Sequence, residues 1–219
     1  MSAFSATPGD SHRASRPLDQ SRRIANVRAV LALAWAAAVI IAVGGDVPTT
    51  ASDLAVGVAA LLASYPLIDV FASIAGARYE GTSRNVLVVN AAISTAAVVA
   101  IAVTGFGSDA GATLASFGAW AAISGAIQFV VAIDGRRSGG GQLPMIVSGG
   151  LSTIAGLGFI AQSGGNDAHL SYLGGYMALG ALLYLVWALR VRPQPRPAQS
   201  LSESEGQLAN SDDWARHHV

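Results

Sequence analysis

Apolar positions along the chain fall into six long blocks, at about 29–45, 54–76, 86–105, 111–133, 144–162 and 170–189. A bilayer core takes about 20 apolar residues per helix, with roughly 17 to 25 tolerated. Each block therefore predicts one transmembrane helix. The clusters between them, "GGDVPTTASD", "ARYEGTSRN", "GFGSD", "DGRRSGGGQLP" and "QSGGNDAH", are rich in Gly, Pro, Asn and Asp. Such clusters end one helix and begin the next. Asp53 and Asp109 stand just before spans two and four, where each is expected to cap a helix N-terminus. The predicted fold class is all-α, a polytopic membrane bundle of six transmembrane helices spanning 29–190. Residues 1–28 and 191–219 are rich in Ser, Pro, Arg and acidic side chains. They bury too little apolar surface to offset their ordering entropy, so both are expected to be disordered tails.

Composition supports the choice of solvent. Of 219 residues, 52% are hydrophobic and 12% charged, against about 25% charged in soluble domains. The lipid bilayer is the first partner implied. The formal net charge is zero, which argues against nucleic-acid binding, because phosphate recognition needs surplus cations on one face. No Cys is present, so disulfides, thiolate metal sites and cysteine nucleophiles are excluded. The basic lead before "AVLALAWAAAVIIAVGG" has the layout of a signal peptide. Its length and the further apolar blocks favour an uncleaved first span.

All 13 basic residues are Arg, and they segregate. Five precede span one: Arg13, Arg16, Arg22, Arg23 and Arg28. Arg78 and Arg84 lie between spans two and three, Arg136 and Arg137 between four and five, and Arg190, Arg192, Arg196 and Arg216 after six. The other three loops carry Asp46, Asp53, Asp109 and Asp167 but no Arg. Because short cytoplasmic loops retain positive charge, the expectation is a multi-pass protein of the cytoplasmic membrane with both termini inside. Trp187, three residues before Arg190, fits an interfacial position. Trp35 and Trp120 lie deeper, as expected of packing residues.

An internal repeat emerges when "IDVFASIAGAR" (68–78) is laid over "IQFVVAIDGRR" (127–137). Ile68 then matches Ile127, Gly76 matches Gly135 and Arg78 matches Arg137, while Asp69 falls on Gln128. One gap later, Ser94-Thr95 matches Ser152-Thr153. Displacement by two spans preserves direction in the membrane, so these are parallel hairpin repeats rather than inverted ones. Small residues recur every fourth position at Gly118, Ala122 and Ala126, at Ser148, Ser152 and Gly156, and at Gly174 and Ala178. Such faces let helices approach closely in lipid, within one bundle or across a homo-oligomer.

The stretch "FGAWAAISGAIQFVVAIDGRR" (117–137), with its aromatic-Gly-x-Trp start, Ser-Gly centre, Gln and basic end, is followed by "MIVSGGLSTIAGLGFI" (145–160). Together they resemble the HdeD-like family of short-repeat bacterial membrane proteins. The resemblance covers about 29–190 and implies a six-helix inner-membrane protein without catalytic activity, with envelope or acid-stress tolerance as the expected setting. The family carries no catalytic motif to transfer. The second span departs from the repeat in having Pro66 and Asp69.

Enzyme chemistry finds little purchase. His169 beside Asp167 makes neither a metal site nor a triad, and "GRRSGGGQ" lacks the Lys-Ser/Thr ending of a phosphate loop. No cofactor is called for. Asp69 is the exception in an otherwise apolar interior. A carboxylate at a span centre costs about 2.5 to 3.5 kcal/mol, and Asp69, lying off-centre towards the cytoplasmic end of its span, costs less than that. Pro66 leaves the carbonyl of Leu62 without its helical partner, loosening the helix nearby. Tyr65 is one turn from Asp69, and Asn90, Gln128 and Ser94 are the candidate partners on neighbouring spans. With every Arg placed outside the spans, Asp69 is expected to lack a cationic partner. Three roles stay open for it: interhelical hydrogen bonding, protonation-linked function, and binding of a cation or small polar solute in a transporter or channel.

Overall fold

The computed structural model describes residues 10–45, 47–78, 84–136 and 142–190, with side chains from residue 23 onward. The expected 191–219 tail and most of the Arg-Gly-rich turn after Gly135 lie outside the described residues. The described residues form seven helices: α1 (Asp10–Val43), α2 (Val56–Ser64), α3 (Pro66–Ala77), α4 (Arg84–Gly107), α5 (Ala110–Gly135), α6 (Leu143–Gln162) and α7 (Ser171–Arg190). Six spans are long and apolar enough to cross a bilayer, because α2 and α3 together form the second, Val56–Ala77. The protein is an all-α polytopic bundle.

Two boundaries differ from expectation at the start of the chain. Helix α1 begins at Asp10, inside the segment expected to be a disordered tail. Its spanning portion is Arg23–Val43 rather than 29–45. Buried Ala25, Ala29, Ala32, Ala36, Val39 and Val43 recur at helical spacing, so one continuous inward face runs through the whole span. The apolar side chains Ile24 and Val27 extend the block upstream, and a single Arg does not end it.

Span two is interrupted where the sequence carries Pro66. The ring nitrogen cannot donate to the carbonyl of Leu62, and the helix divides there, with Tyr65 between α2 and α3 in helical conformation. The hydroxyl of Ser64 serves the break from both sides: it donates to the carbonyl of Leu61 at 3.1 Å and accepts Trp35 Nε1–H at 3.0 Å. Of the expected caps, Asp109 accepts from Ala112 N at 2.7 Å. Asp53 does not cap: α2 starts three residues later, with Ala55 at the N-cap and no side-chain bond.

The spans close into a ring in the order α1, α7, α6, α5, α4 and α2/α3, which returns to α1. The most extensive contact is α5 with α6, and glycine makes it possible. A Cβ on Gly118 would lie 2.6 Å from the carbonyl oxygen of Gly156, and one on Gly149 would lie 2.6 Å from Phe129 N. A Cβ on Gly156 would collide with Ala122 N. Backbones this close gain dispersion along their whole length, which matters in lipid, where apolar burial between helices adds little. Gly174 on α7 likewise receives Ile40 of α1. The small-residue faces are therefore used inside the bundle. The outer surface is apolar, with Ile41, Val56, Phe71 and Leu189 all strongly exposed.

One end of the ring is tied shut by backbone hydrogen bonds between loops. Thr50 N donates to Asn166 O at 3.0 Å, Gly111 N to Thr50 O at 2.8 Å, Ala110 N to Ser52 O at 2.9 Å and Ala168 N to Pro48 O at 2.8 Å. These are the three loops without Arg. Beneath them, Phe117 is fully buried and holds Tyr65, Trp120, Phe159 and Tyr176 around it at ring distances of 5.3 to 6.3 Å. The paired Ser-Thr dipeptides behave alike. Thr95 and Thr153 donate back to Ala91 O and Gly149 O in their own helices, whereas Ser94 and Ser152 meet Trp120 and Tyr176 across the bundle.

Candidate functional site

At the other end the ring does not fill. A cavity of about 810 Å³ lies between the helices, reaching from Asp134 and Gln142 near the Arg-bearing end down to Trp120 and Tyr176. Every span contributes to its wall.

Its charged centre is built by α1 and α3. Arg28 falls between the inward positions Ala25 and Ala32 of α1, so its side chain turns into the bundle instead of towards the headgroups. Asp69 is in the first turn of α3, carried inward one turn after the Pro66 break. The two form an ion pair through Arg28 Nη2 and Asp69 Oδ1, with the arginine side chain 21% and the aspartate 9% exposed. This overturns the expectation that Asp69 has no cationic partner: with the span beginning at Arg23, Arg28 stands within it. Bringing either charge alone out of water costs several kcal/mol, and only close pairing returns that cost.

Tyr184 extends the arrangement. The Arg28 guanidinium lies 4.0 Å over the centre of its ring, a cation–π contact worth about 2 kcal/mol when desolvated. The Tyr184 hydroxyl donates to Gln128 Oε1 at 3.0 Å, and Gln128 Nε2 donates to Met145 O at 3.3 Å. One polar chain thus joins α3, α1, α7, α5 and α6. Asp69, equivalent to Gln128 in the internal repeat, stands at one end of it, and Gln128 passes it on to α6 at the other.

Of the five candidate residues, Asp69, Tyr65, Asn90 and Gln128 line the cavity, and Ser94 does not. Ser94 is fully buried and accepts Trp120 Nε1–H at 3.1 Å. None of the three expected partners, Asn90, Gln128 and Ser94, bonds Asp69. Asn90 donates instead to Ser73 Oγ at 2.9 Å, tying α4 to α3, and Tyr65 packs against Phe117 and Trp120. Trp120 is the packing residue expected, and Trp35 braces the α2/α3 break. Trp187 also faces the cavity, where its buried Nε1–H has no hydrogen-bond partner among the described residues.

Arg28, Tyr176 and Tyr184 were not among the sequence candidates. Arg28 was hidden by its place in a basic lead, although "RRIANVRAVLALAW" has apolar residues on both sides of it. The two tyrosines had a fainter signal: they lie eight residues apart on α7, hence on one helix face.

Fold and site together define the class: a polytopic membrane bundle, tied together by its loops at one end, with a paired charge in a largely apolar cavity at the other. Comparison with known proteins finds no matching family model, no matching curated protein and no matching solved structure.

Proposed function

We propose that this protein is a non-enzymatic membrane carrier or channel in which a small polar solute, or a proton linked to it, uses the vestibule around Asp69. The observation that carries this reading is the Arg28–Asp69 pair standing in the wall of an 810 Å³ cavity. A carboxyl group with a merely structural role would be bonded in a dry interior to Asn90 or Gln128, and here both have other partners. Pockets of about 300 to 1,000 Å³ with a few convergent polar groups are the size range of small-molecule sites. Intramembrane ionisable pairs facing such a cavity commonly mark solute and proton pathways.

Segregation of Arg supports an orientation with the vestibule facing the cytoplasm and the sealed loops outside the cytoplasmic membrane. The likeness of residues 117–137 and 145–160 to HdeD-like proteins supports envelope or acid-stress tolerance as the setting. The test is flux in proteoliposomes, measured for a panel of small polar solutes with and without a pH gradient. Protein-dependent flux that falls in Asp69→Asn is the expected result. Parent and empty vesicles behaving alike under both conditions would refute the proposal.

A further inference from the structure

The charge balance of the vestibule restricts what it can hold. Arg28 and Asp69 cancel, and the other charged lining residue among the described residues, Asp134, is exposed at the rim, so a solute with a net charge would reach the low-dielectric wall around the pair without a counter-charge, at a cost of several kcal/mol. Two poles remain around the pair. On α1 and α7, the Arg28 guanidinium carries five N–H donors, and Asp69 occupies it through Nη2. Trp187 lies one turn beyond Tyr184 on the same face of α7, and its Nε1–H is an unused donor among the described residues. This pole asks for an acceptor, and a planar carboxylate matches the guanidinium edge. On the second span, Asp69 offers a carboxylate, with the ring of Tyr65 one turn before it on the cavity wall. Carboxylate beside an aromatic face suits a cation.

Resting on the solute reading above, we propose that the vestibule selects a net-neutral zwitterion of the amino-carboxylate class. Its carboxylate lies on Arg28 and Trp187, and its ammonium lies on Asp69 and Tyr65. The resting ion pair holds each pole until the solute supplies both opposite charges at once. A solute bearing one charge satisfies one pole and strands the other.

The test uses the full chain in detergent, with tryptophan fluorescence as readout, since Trp120 and Trp187 line the cavity. The probes are L-leucine, leucinamide, 4-methylpentanoate and 4-methylpentanamide, which present both charges, the cation alone, the anion alone and neither. L-leucine is expected to bind at least about tenfold more tightly than the other three, the size of effect that follows from leaving a buried polar group unpaired. The variants invert that order. Asp69→Asn leaves Arg28 unbalanced and should shift preference to 4-methylpentanoate, whereas Arg28→Gln should shift it to leucinamide. The neutral double variant Arg28→Gln with Asp69→Asn keeps the cavity folded without either charge and should bind none of the charged probes preferentially. If a single variant does not fold, the double variant against the parent still decides the point. Equal binding of all four probes by the parent, or unchanged preference in the variants, overturns the proposal. Protein-dependent flux of a polyol or an inorganic ion, with L-leucine inert, also overturns it while leaving the carrier reading intact. Absence of flux for every solute would count against the carrier reading itself.

Discussion

The two ends of this bundle are built from the same six spans and solve opposite problems. At the loop-sealed end, Leu62, Leu114, Phe117, Leu173 and Met177 are almost completely buried, and backbone hydrogen bonds knit the connecting segments together. At the Arg-bearing end the same helices enclose a cavity with an ion pair, a cation–π contact and a run of amide and hydroxyl bonds. Apolar side chains fill space by contact alone. Charged and polar groups keep their spacing because each must keep its partner. The break at Pro66 lies at the junction of the two regimes: α2 belongs to the packed half, and α3 carries Asp69 into the open one.

Breaking the ion pair should have the largest effect. Asp69→Leu strands the Arg28 charge within the bundle and is expected to cost about 3 to 5 kcal/mol, measured by unfolding titration in mixed micelles. Arg28→Met combined with Asp69→Leu should recover much of that loss. If the double variant is no better than the single one, the pair is not coupled and the contrast between the two halves weakens.

Close helix packing in α5 and α6 should come next. Gly156→Val puts side-chain atoms into the backbone of α5 and should cost about 3 kcal/mol. Gly180→Ala, in the interior of α7 with nothing within 4 Å of the new Cβ, should cost nothing and raise stability by up to about 1 kcal/mol in the same assay.

A smaller effect probes the boundary between the halves. Trp120→Phe keeps most of the aromatic packing but leaves the Ser94 hydroxyl without its donor, an expected loss of about 1 kcal/mol. Asp109→Ala, which removes the α5 cap at the sealed end, should cost about 1 kcal/mol, read as a small fall in thermal midpoint.

The last prediction sharpens the contrast without destabilising it. Because the chain has no native Cys, single cysteines report access directly. Ser124→Cys and Asn90→Cys, at half-buried positions lining the vestibule, should react with a small water-soluble thiol reagent in detergent. Thr113→Cys, at a fully buried position of the sealed half, should resist it. Equal reaction rates at the three positions would mean that water enters both halves alike.

Much of this was legible in local sequence. Hydropathy is summed over neighbours, so the six spans, their turns and the segregation of Arg follow from composition along the chain. Asp109 could be assigned as a cap because its partner is three residues away. The small-residue faces were readable from four-residue spacing. Asp69, Tyr65, Asn90 and Gln128 stood out as polar positions in apolar blocks, and the structure brings these four to one cavity.

Their partners were not legible, because a pairing across helices depends on which faces the ring turns inward. Arg28 looked like one more basic residue before a span. Only the packing of α1 against α7 and α3 draws its side chain into the bundle, since Ala25, Ala29 and Ala32 flank it on the face that must be buried. The sequence by itself determined that six apolar helices cross a membrane, where they break, and that one acidic side chain had to be accommodated among them. Tertiary structure decided how: a cation from the first span and a tyrosine from the last converge on that acid, because an unpaired charge in lipid costs more than the apolar packing forgone around the cavity.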